Sequence, residues 1–298
     1  GRVLRRASRV GAVHYLIDHE TTLDFAEPVR EHQIEVRMAP RSDATQRVLS
    51  CEIEVEPRAR LREHVDAFGN RVHRTTLLAP HERLTVRMRA EVETLRANPF
   101  DFPPLAPDAE EAAIRRALRE QPRLLEFLLH RSDGVPDLAA SMDALGAPRR
   151  ARERPLVEDL GAAMTWAAAA FTYLPGATDV HAPLATFLDK RAGVCQDFAH
   201  LLAAVARAWG VPARYVAGYV DPGDSESEEA THAWVEVLVP GGGWLGLDAT
   251  HGLFANDGYV ATAIGRDSRD AAPLRGAFKG DDPGGSPHVR LRVQRQQQ

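Results

Sequence analysis

From about Ala12 to Val92, apolar and polar residues alternate in short runs separated by turns, as in Gln33 to Met38 and Leu84 to Met88. A period of two predicts β-strands with one buried face. Asp66-Ala67-Phe68-Gly69-Asn70 supplies turn chemistry between Arg60 to Val65 and Arg71 to Leu78, because Gly and Asn tolerate positive φ. The expected fold of residues 1–97 is a β-sandwich-like domain. Within it, Leu49, Cys51, Ile53 and Val55 fall on one strand face, which marks Cys51 as a buried structural thiol.

Three prolines in Asn98-Pro99-Phe100-Asp101-Phe102-Pro103-Pro104 break the alternation. Residues 98–107 therefore read as a linker and 108–298 as a second unit. Helical spacing and propensity appear over Glu110 to Glu120 and Val157 to Phe171, with interruptions at Pro122 and at Gly146-Ala147-Pro148. Near the C-terminus, Gly280 to Pro287 has the composition of a flexible loop, and Val289, Leu291 and Val293 return to strand alternation.

A stronger helical phase begins at Val194. Val194, Phe198, Leu201, Leu202, Val205 and Trp209 share one face, and Gly210 and Pro212 end the run. Cys195 consequently sits in the first turn, where free backbone amides and the helix dipole favour a thiolate over the ordinary thiol of pKa about 8.5. Tyr215 to Val220 reads as a strand. In His232 to Val239 the alternation puts Ala233, Val235, Val237 and Val239 on one face and His232, Trp234 and Glu236 on the other. Pro240-Gly241-Gly242-Gly243 then turns the chain into Trp244 to Asp248, so a hairpin carries His232 and Asp248 on adjacent strands. If Val239 pairs with Trp244, His251 rather than Asp248 stands opposite His232, and a bulge or another loop length is required to bring Asp248 level.

Composition narrows the function. The chain has 298 residues, 44% hydrophobic and 27% charged, with a formal net charge of -5. That gives no broad basic field, so no nucleic-acid partner is expected. The apolar run Met164 to Phe171 is far short of the roughly 18 residues of a membrane span, so no membrane partner is expected either. Arg2, Arg5, Arg6 and Arg9 are followed by no apolar segment of a secretory signal, and the expected location is cytoplasmic. Two cysteines far apart make a poor disulfide framework. Cys195, His200, His232, Asp248 and His251 are potential zinc ligands, but they lack a compact paired spacing. The acidic run Asp221 to Glu229 does not follow a calcium-loop order and reads as a solvated hairpin loop. No metal or other cofactor is expected. Asp197 and His200 read as polar groups bonding nearby backbone, and Trp234 and Trp244 as packing residues.

Gly193-Val194-Cys195-Gln196-Asp197-Phe198-Ala199-His200, Gly210-Val211-Pro212-Ala213-Arg214-Tyr215, His232-Ala233-Trp234-Val235-Glu236 and Trp244-Leu245-Gly246-Leu247-Asp248-Ala249-Thr250 together resemble the bacterial transglutaminase-like family. Gly265-Arg266-Asp267, Pro273-Leu274-Arg275-Gly276 and the Asp66 to Asn70 turn extend the likeness over nearly the whole chain. Ala249 departs from it, standing where many relatives have proline. The resemblance implies an α+β fold in which the N-terminal β domain precedes a papain-like core, with Cys195, His232 and Asp248 as catalytic nucleophile, base and orienting carboxylate. It leaves the reaction open, since the superfamily includes transglutaminases, peptidases, amidases and proteins without demonstrated activity. The expectation is a hydrolase acting on a peptide or protein substrate through an acyl-thioester. Protein-glutamine transamidation and a non-catalytic peptide-binding or assembly role are the alternatives. The Cys195 N-H is the natural first oxyanion donor, and Gln196 and Tyr173 are candidates for the second.

Overall fold

The computed structural model describes residues 12–221, 223, 231–281 and 287–296. Five strands open the chain: β1 (Val13–Val36), β2 (Gln46–Glu56), β3 (Arg62–Val65), β4 (Arg71–Leu77) and β5 (His81–Thr94). β1 is the spine of this sheet. Its first half lies between β5 and the last strand of the chain, and its second half pairs with β4. The two halves bury opposite parities: Tyr15, Ile17, His19 and Thr21 point inward before the bend, and His32, Ile34 and Val36 after it. Register shifts between Asp24 and Val29 and a left-handed Glu31 (φ 49°) accomplish the change, so one strand serves both flanks of a curled sheet. β2 carries a bulge between Val48 and Ser50, which leaves Leu49 exposed and Cys51 half-buried instead of placing both on an inward face.

The chain continues through α1 (Pro107–Glu120), a 3-10 turn (Pro122–Leu125), α2 (Glu126–Leu129), α3 (Met142–Leu145) and α4 (Leu156–Ala170). Next come β6 (Thr172–Tyr173), α5 (Leu184–Lys190), β7 (Ala192–Gly193) and α6 (Cys195–Ala208). A second sheet follows, built from β8 (Ala213–Val220), β9 (His232–Val239), β10 (Gly243–Asp248), β11 (Leu253–Phe254) and β12 (Tyr259–Gly265) in the order β11-β10-β9-β8-β12. α6 packs on it, with Phe198, Leu201, Leu202 and Val205 meeting Val235, Val237, Leu245 and Leu247 in one core. Among the described residues no helix is long and apolar enough to cross a membrane.

After α7 (Ser268–Ala271), β13 (Leu274–Lys279) and β14 (His288–Gln296) return to the first sheet, both pairing with β1. The expected second unit, 108–298, thus contributes its last two strands to the N-terminal sheet. Alternation predicts a strand at Val289 to Val293, but its partner lies across almost the full length of the chain. Within the segment Gly280 to Pro287, residues 282–286 lie outside the described residues.

Two buried amides join the sheets. Gln46 donates to the Ala261 carbonyl at 2.8 Å and accepts from the Ala261 N-H at 2.7 Å. Asn70, fully buried at the end of the Asp66 turn, does the same at Ile264, at 2.8 and 2.9 Å. Both act on β12, the edge strand of the second sheet.

Candidate functional site

Cys195 is the first residue of α6, after Val194 in extended conformation (φ -114°, ψ 177°). Asp197 ties this end of the helix: its Oδ2 accepts the Val194 N-H at 2.9 Å and the Thr178 hydroxyl at 2.5 Å. The turn requires Gly193, since a Cβ there would lie 2.4 Å from Asp197 Oδ2 and 2.5 Å from Phe187 Cδ2. Burial is the main influence on Asp197 and raises its pKa against these hydrogen bonds. His200, one turn further along, is buried, and its Nε2 accepts the Ser268 N-H at 3.0 Å. Burial lowers it to about 4, so the ring stays neutral. Asp197 bonds neighbouring backbone, as expected, whereas the backbone partner of His200 is Ser268, distant in sequence. At the other end of α6, Arg207 donates to the carbonyls of His130, Ala213 and Arg266, a buried anchor that the sequence does not announce.

His232 opens β9 and Asp248 closes β10. Gly243, rather than Trp244, pairs with Val239, and continuing this register sets Asp248 opposite Trp234. Asp248 is therefore one step diagonal to His232 on the same face, a separation that an imidazole spans without a bulge. His232 Nε2 and Asp248 Oδ2 are 2.7 Å apart. The Cys195 thiol is close enough to the same ring to raise its proton affinity, and with Nε2 on the carboxylate the ring nitrogen left free is Nδ1. Cys195 is half-buried against Ala199, Tyr215, Ala217 and Ala233.

Asp248 is only 1% exposed and is surrounded by donors. Its Oδ2 also receives His251 Nδ1 at 2.6 Å and the Tyr259 hydroxyl at 2.9 Å. Its Oδ1 accepts the Thr250 N-H at 2.9 Å and hydroxyl at 2.7 Å. Burial alone would raise this carboxyl, but hydrogen bonds from His232 and His251, the His232 charge and Thr250 hold it far below the usual range. For His232, burial works against the proton. Hydrogen bonds to Asp248 and Cys195, with the negative charge of both, outweigh it and push the imidazole up to about 10 from 6.5. The arrangement favours the protonated form of His232.

Sequence reasoning singled out Cys195, His232 and Asp248, and these three are together. It missed Tyr259 and Thr250 as partners of Asp248 and saw His251 as a competitor for His232 and as a potential zinc ligand. Thr250 had a signal, since Asp-x-Thr at a strand end is an Asx-turn pattern; Tyr259 had none. Gln196 donates to the Val180 carbonyl at 3.1 Å and so is engaged with the preceding loop. Tyr173 pairs with Gly193 across β6 and β7, and its pKa is raised by burial and by the nearby charges of Cys195 and Asp248. Trp234 is buried against Tyr259, and Trp244 lies under Arg214 with the guanidinium carbon 4.2 Å from its ring centroid. Both pack. His232, Asp248 and His251 bring donor atoms within 4.8 Å of one another, a gathering that the hydrogen bonds centred on Asp248 account for. Of the acidic loop, Asp221 accepts the Tyr15 hydroxyl at 2.9 Å, while 222 and 224–230 lie outside the described residues.

Comparison with known proteins gives two family matches. Residues 15–93 match the bacterial transglutaminase-like N-terminal region, and residues 144–249 match the transglutaminase-like superfamily. An uncharacterized protein of Mycobacterium leprae, ML0607, is 32% identical over 269 residues, covering 88% of this chain and 92% of its own. The uncharacterized Rv2569c of Mycobacterium tuberculosis is 31% identical over 282 residues, covering 89% and 88%. A protein-glutamine gamma-glutamyltransferase of Pseudomonas aeruginosa is 38% identical over 89 residues, which is 28% of this chain and 13% of that one. The crystal structure of a Cytophaga hutchinsonii protein, provisionally described as a cysteine protease, has the same fold with a TM-score of 0.73 at 23% identity, covering 95% of this chain and 91% of that one.

Proposed function

The chain belongs to the bacterial transglutaminase-like superfamily, and from that premise we propose that it is a cysteine hydrolase, a peptidase or amidase acting on an amide carbonyl of a peptide or protein. The observation that carries this reading is His232, bonded through Nε2 to a fully buried Asp248, with the Cys195 thiol close enough to raise the imidazole's proton affinity. In this mechanism the Cys195 thiolate attacks the carbonyl carbon while its proton rests on His232. The oxyanion accepts the Cys195 backbone N-H at the start of α6, with Tyr173 as the second donor. His232 passes its proton to the leaving amine as the C-N bond breaks, leaving a thioester. Water then gives its proton to His232, its oxygen adds to the thioester, and loss of the thiolate yields the acid. Asp248 fixes the tautomer and balances the charge throughout. Two unpaired cysteines fit a reducing compartment, so cytoplasmic location belongs to the same proposal.

The segment shared with the Pseudomonas transferase favours a second reading, in which an amine takes the place of water. Incubating glutamine-containing peptides with a labelled primary amine distinguishes the two. Free acid that disappears in Cys195→Ala is the expected product; amine-linked product dependent on Cys195 would reverse the preference. If neither forms although Cys195 is accessible to alkylation, the binding role gains.

A further inference from the structure

We propose that His251 is a positioning residue for His232, setting its orientation and charge through the carboxylate oxygen they share and weakening that hold when His251 itself takes a proton. The inference rests on the thiol mechanism above and adds its control.

The local chain is built to deliver this second histidine. Asp248 Oδ1 gathers the Thr250 N-H and hydroxyl, which winds the backbone into a turn, and Gly252 in left-handed conformation (φ 67°) lets the chain reverse. Leu253 then pairs back with Asp248. His251 ends up over the carboxylate with Nδ1 2.6 Å from Oδ2, its ring centroid 4.8 Å from that of His232. The His251 side chain is 49% exposed against 10% for His232, so water reaches the outer ring while the inner one is enclosed.

When His251 is neutral, its Nδ1 holds the hydrogen that Asp248 accepts, and Nε2 is the basic atom. The carboxylate then presents its full charge to His232 and is held in place by a neutral donor. Uptake of a solvent proton at Nε2 makes His251 a cation, and two imidazolium rings then compete for one carboxylate oxygen. In the proposed mechanism the Cys195 thiolate partners His232 Nδ1, the ring nitrogen away from Asp248, so the new charge repels the nearer imidazolium more than it attracts the thiolate. The reactive ion pair loses ground to the neutral thiol and imidazole. The titratable groups around the cluster are Cys195 from α6, His232 from β9, Asp248 from β10, Tyr259 from β12 and Tyr173 from β6. With both tyrosine pKa values raised, the phenols stay neutral, and His251 is the ring of this cluster that faces water.

The test reads Cys195 alkylation by iodoacetamide from pH 5 to 9 in the full chain, with mass mapping, and needs no substrate. His251→Asn keeps a side-chain N-H for Oδ2 but cannot titrate; His251→Ala removes the donor. Between pH 8 and 5.5 the wild type should lose about tenfold more rate than His251→Asn, as one unit of displaced proton affinity implies. At pH 8 His251→Ala should be slower than His251→Asn. A purely structural His251 would lower the melting temperature in both variants and leave the acidic limb unchanged. Superimposed limbs for wild type and His251→Asn, with alkylation that still requires His232, overturn this inference alone. Alkylation indifferent to His232→Gln overturns the thiol mechanism, and the inference falls with it.

Discussion

Replacing Asp248 by Asn tests the centre of the proposed mechanism, because it exchanges a charged acceptor for a neutral amide of nearly the same shape. Oδ2 now faces His232 Nε2, His251 Nδ1 and the Tyr259 hydroxyl, so an amide NH2 in that position meets three donors. If the amide instead turns its oxygen to them, the NH2 faces the Thr250 N-H and hydroxyl. Either way buried donors lose partners. The rise of His232 from 6.5 to about 10 corresponds to about 5 kcal/mol at 1.36 kcal/mol per tenfold change. Asp248 and Cys195 share that effect, so loss of the carboxylate charge removes on the order of 2–3 kcal/mol of imidazolium stabilisation. The fraction of reactive ion pair falls by roughly 10²-fold, and loss of the correct tautomer carries the decrease in turnover toward roughly 10⁴-fold. Initial rates of acid release and the alkylation rate of Cys195, both at pH 7.5, measure the two parts. A thermal melt checks that the variant is folded, with His232→Gln as the substitute if it is not. Rates within about threefold of wild type in a folded variant would refute the role of Asp248.

Near neutral pH, alkylation should select Cys195 over Cys51, whose thiol is pushed up chiefly by burial; equal labelling in a mass map would contradict the site. Gly193→Ala must displace Asp197 or Phe187 and should cost about 1–3 kcal/mol in a denaturant titration while slowing Cys195 alkylation; a neutral result would mean the helix cap yields freely. Asn70→Ala strips two backbone partners from Ile264 and should cost about 2–4 kcal/mol, again by denaturation, whereas a loss below about 0.5 kcal/mol would show that water replaces them. Folded His232 keeps its proton up to about 10, whereas an unfolded histidine releases it near 6.5. The stability it contributes is full below pH 6.5 and is lost as pH rises toward 10, so the difference between wild type and His232→Gln should shrink across that window. A difference that grows with pH would reverse the assignment.

Cys195 and His232 were legible because each opens an element whose phase the sequence displays: a helical face from Val194 and strict alternation from His232. The partnership with Asp248 depended on register, and there a single residue decided the geometry. Gly241 and Gly243 both adopt positive φ, so the turn closes on Gly243 and the paired positions shift by one. Apolar pattern cannot measure that shift, because Gly243 carries no side chain to mark a face. Tyr259 was hidden for another reason: β12 stands three places from β10 in the sheet, and only the tertiary fold brings its hydroxyl to the carboxylate. The bend in β1 reverses which parity is buried, so alternation shows strands on either side of it without showing that they are one strand.

The N-terminal sheet reaches this site through hydrogen bonds. β12 is an edge strand, and an edge leaves backbone donors and acceptors unpaired unless something covers them. Gln46 and Asn70 provide that cover at Ala261 and Ile264, and the Arg41 N-H adds a bond to the Ala261 carbonyl at 2.9 Å. Just before β12, the Thr94 hydroxyl holds the Asp257 carbonyl at 2.6 Å. These bonds fix both the strand and its approach, and Tyr259, the first residue of β12, carries the hydroxyl that meets Asp248 Oδ2. A shift of β12 along its edge would withdraw that donor from a buried carboxylate already shared by two histidines. The first sheet is therefore part of what holds the Asp248 cluster in register, whatever further part it has in meeting a substrate.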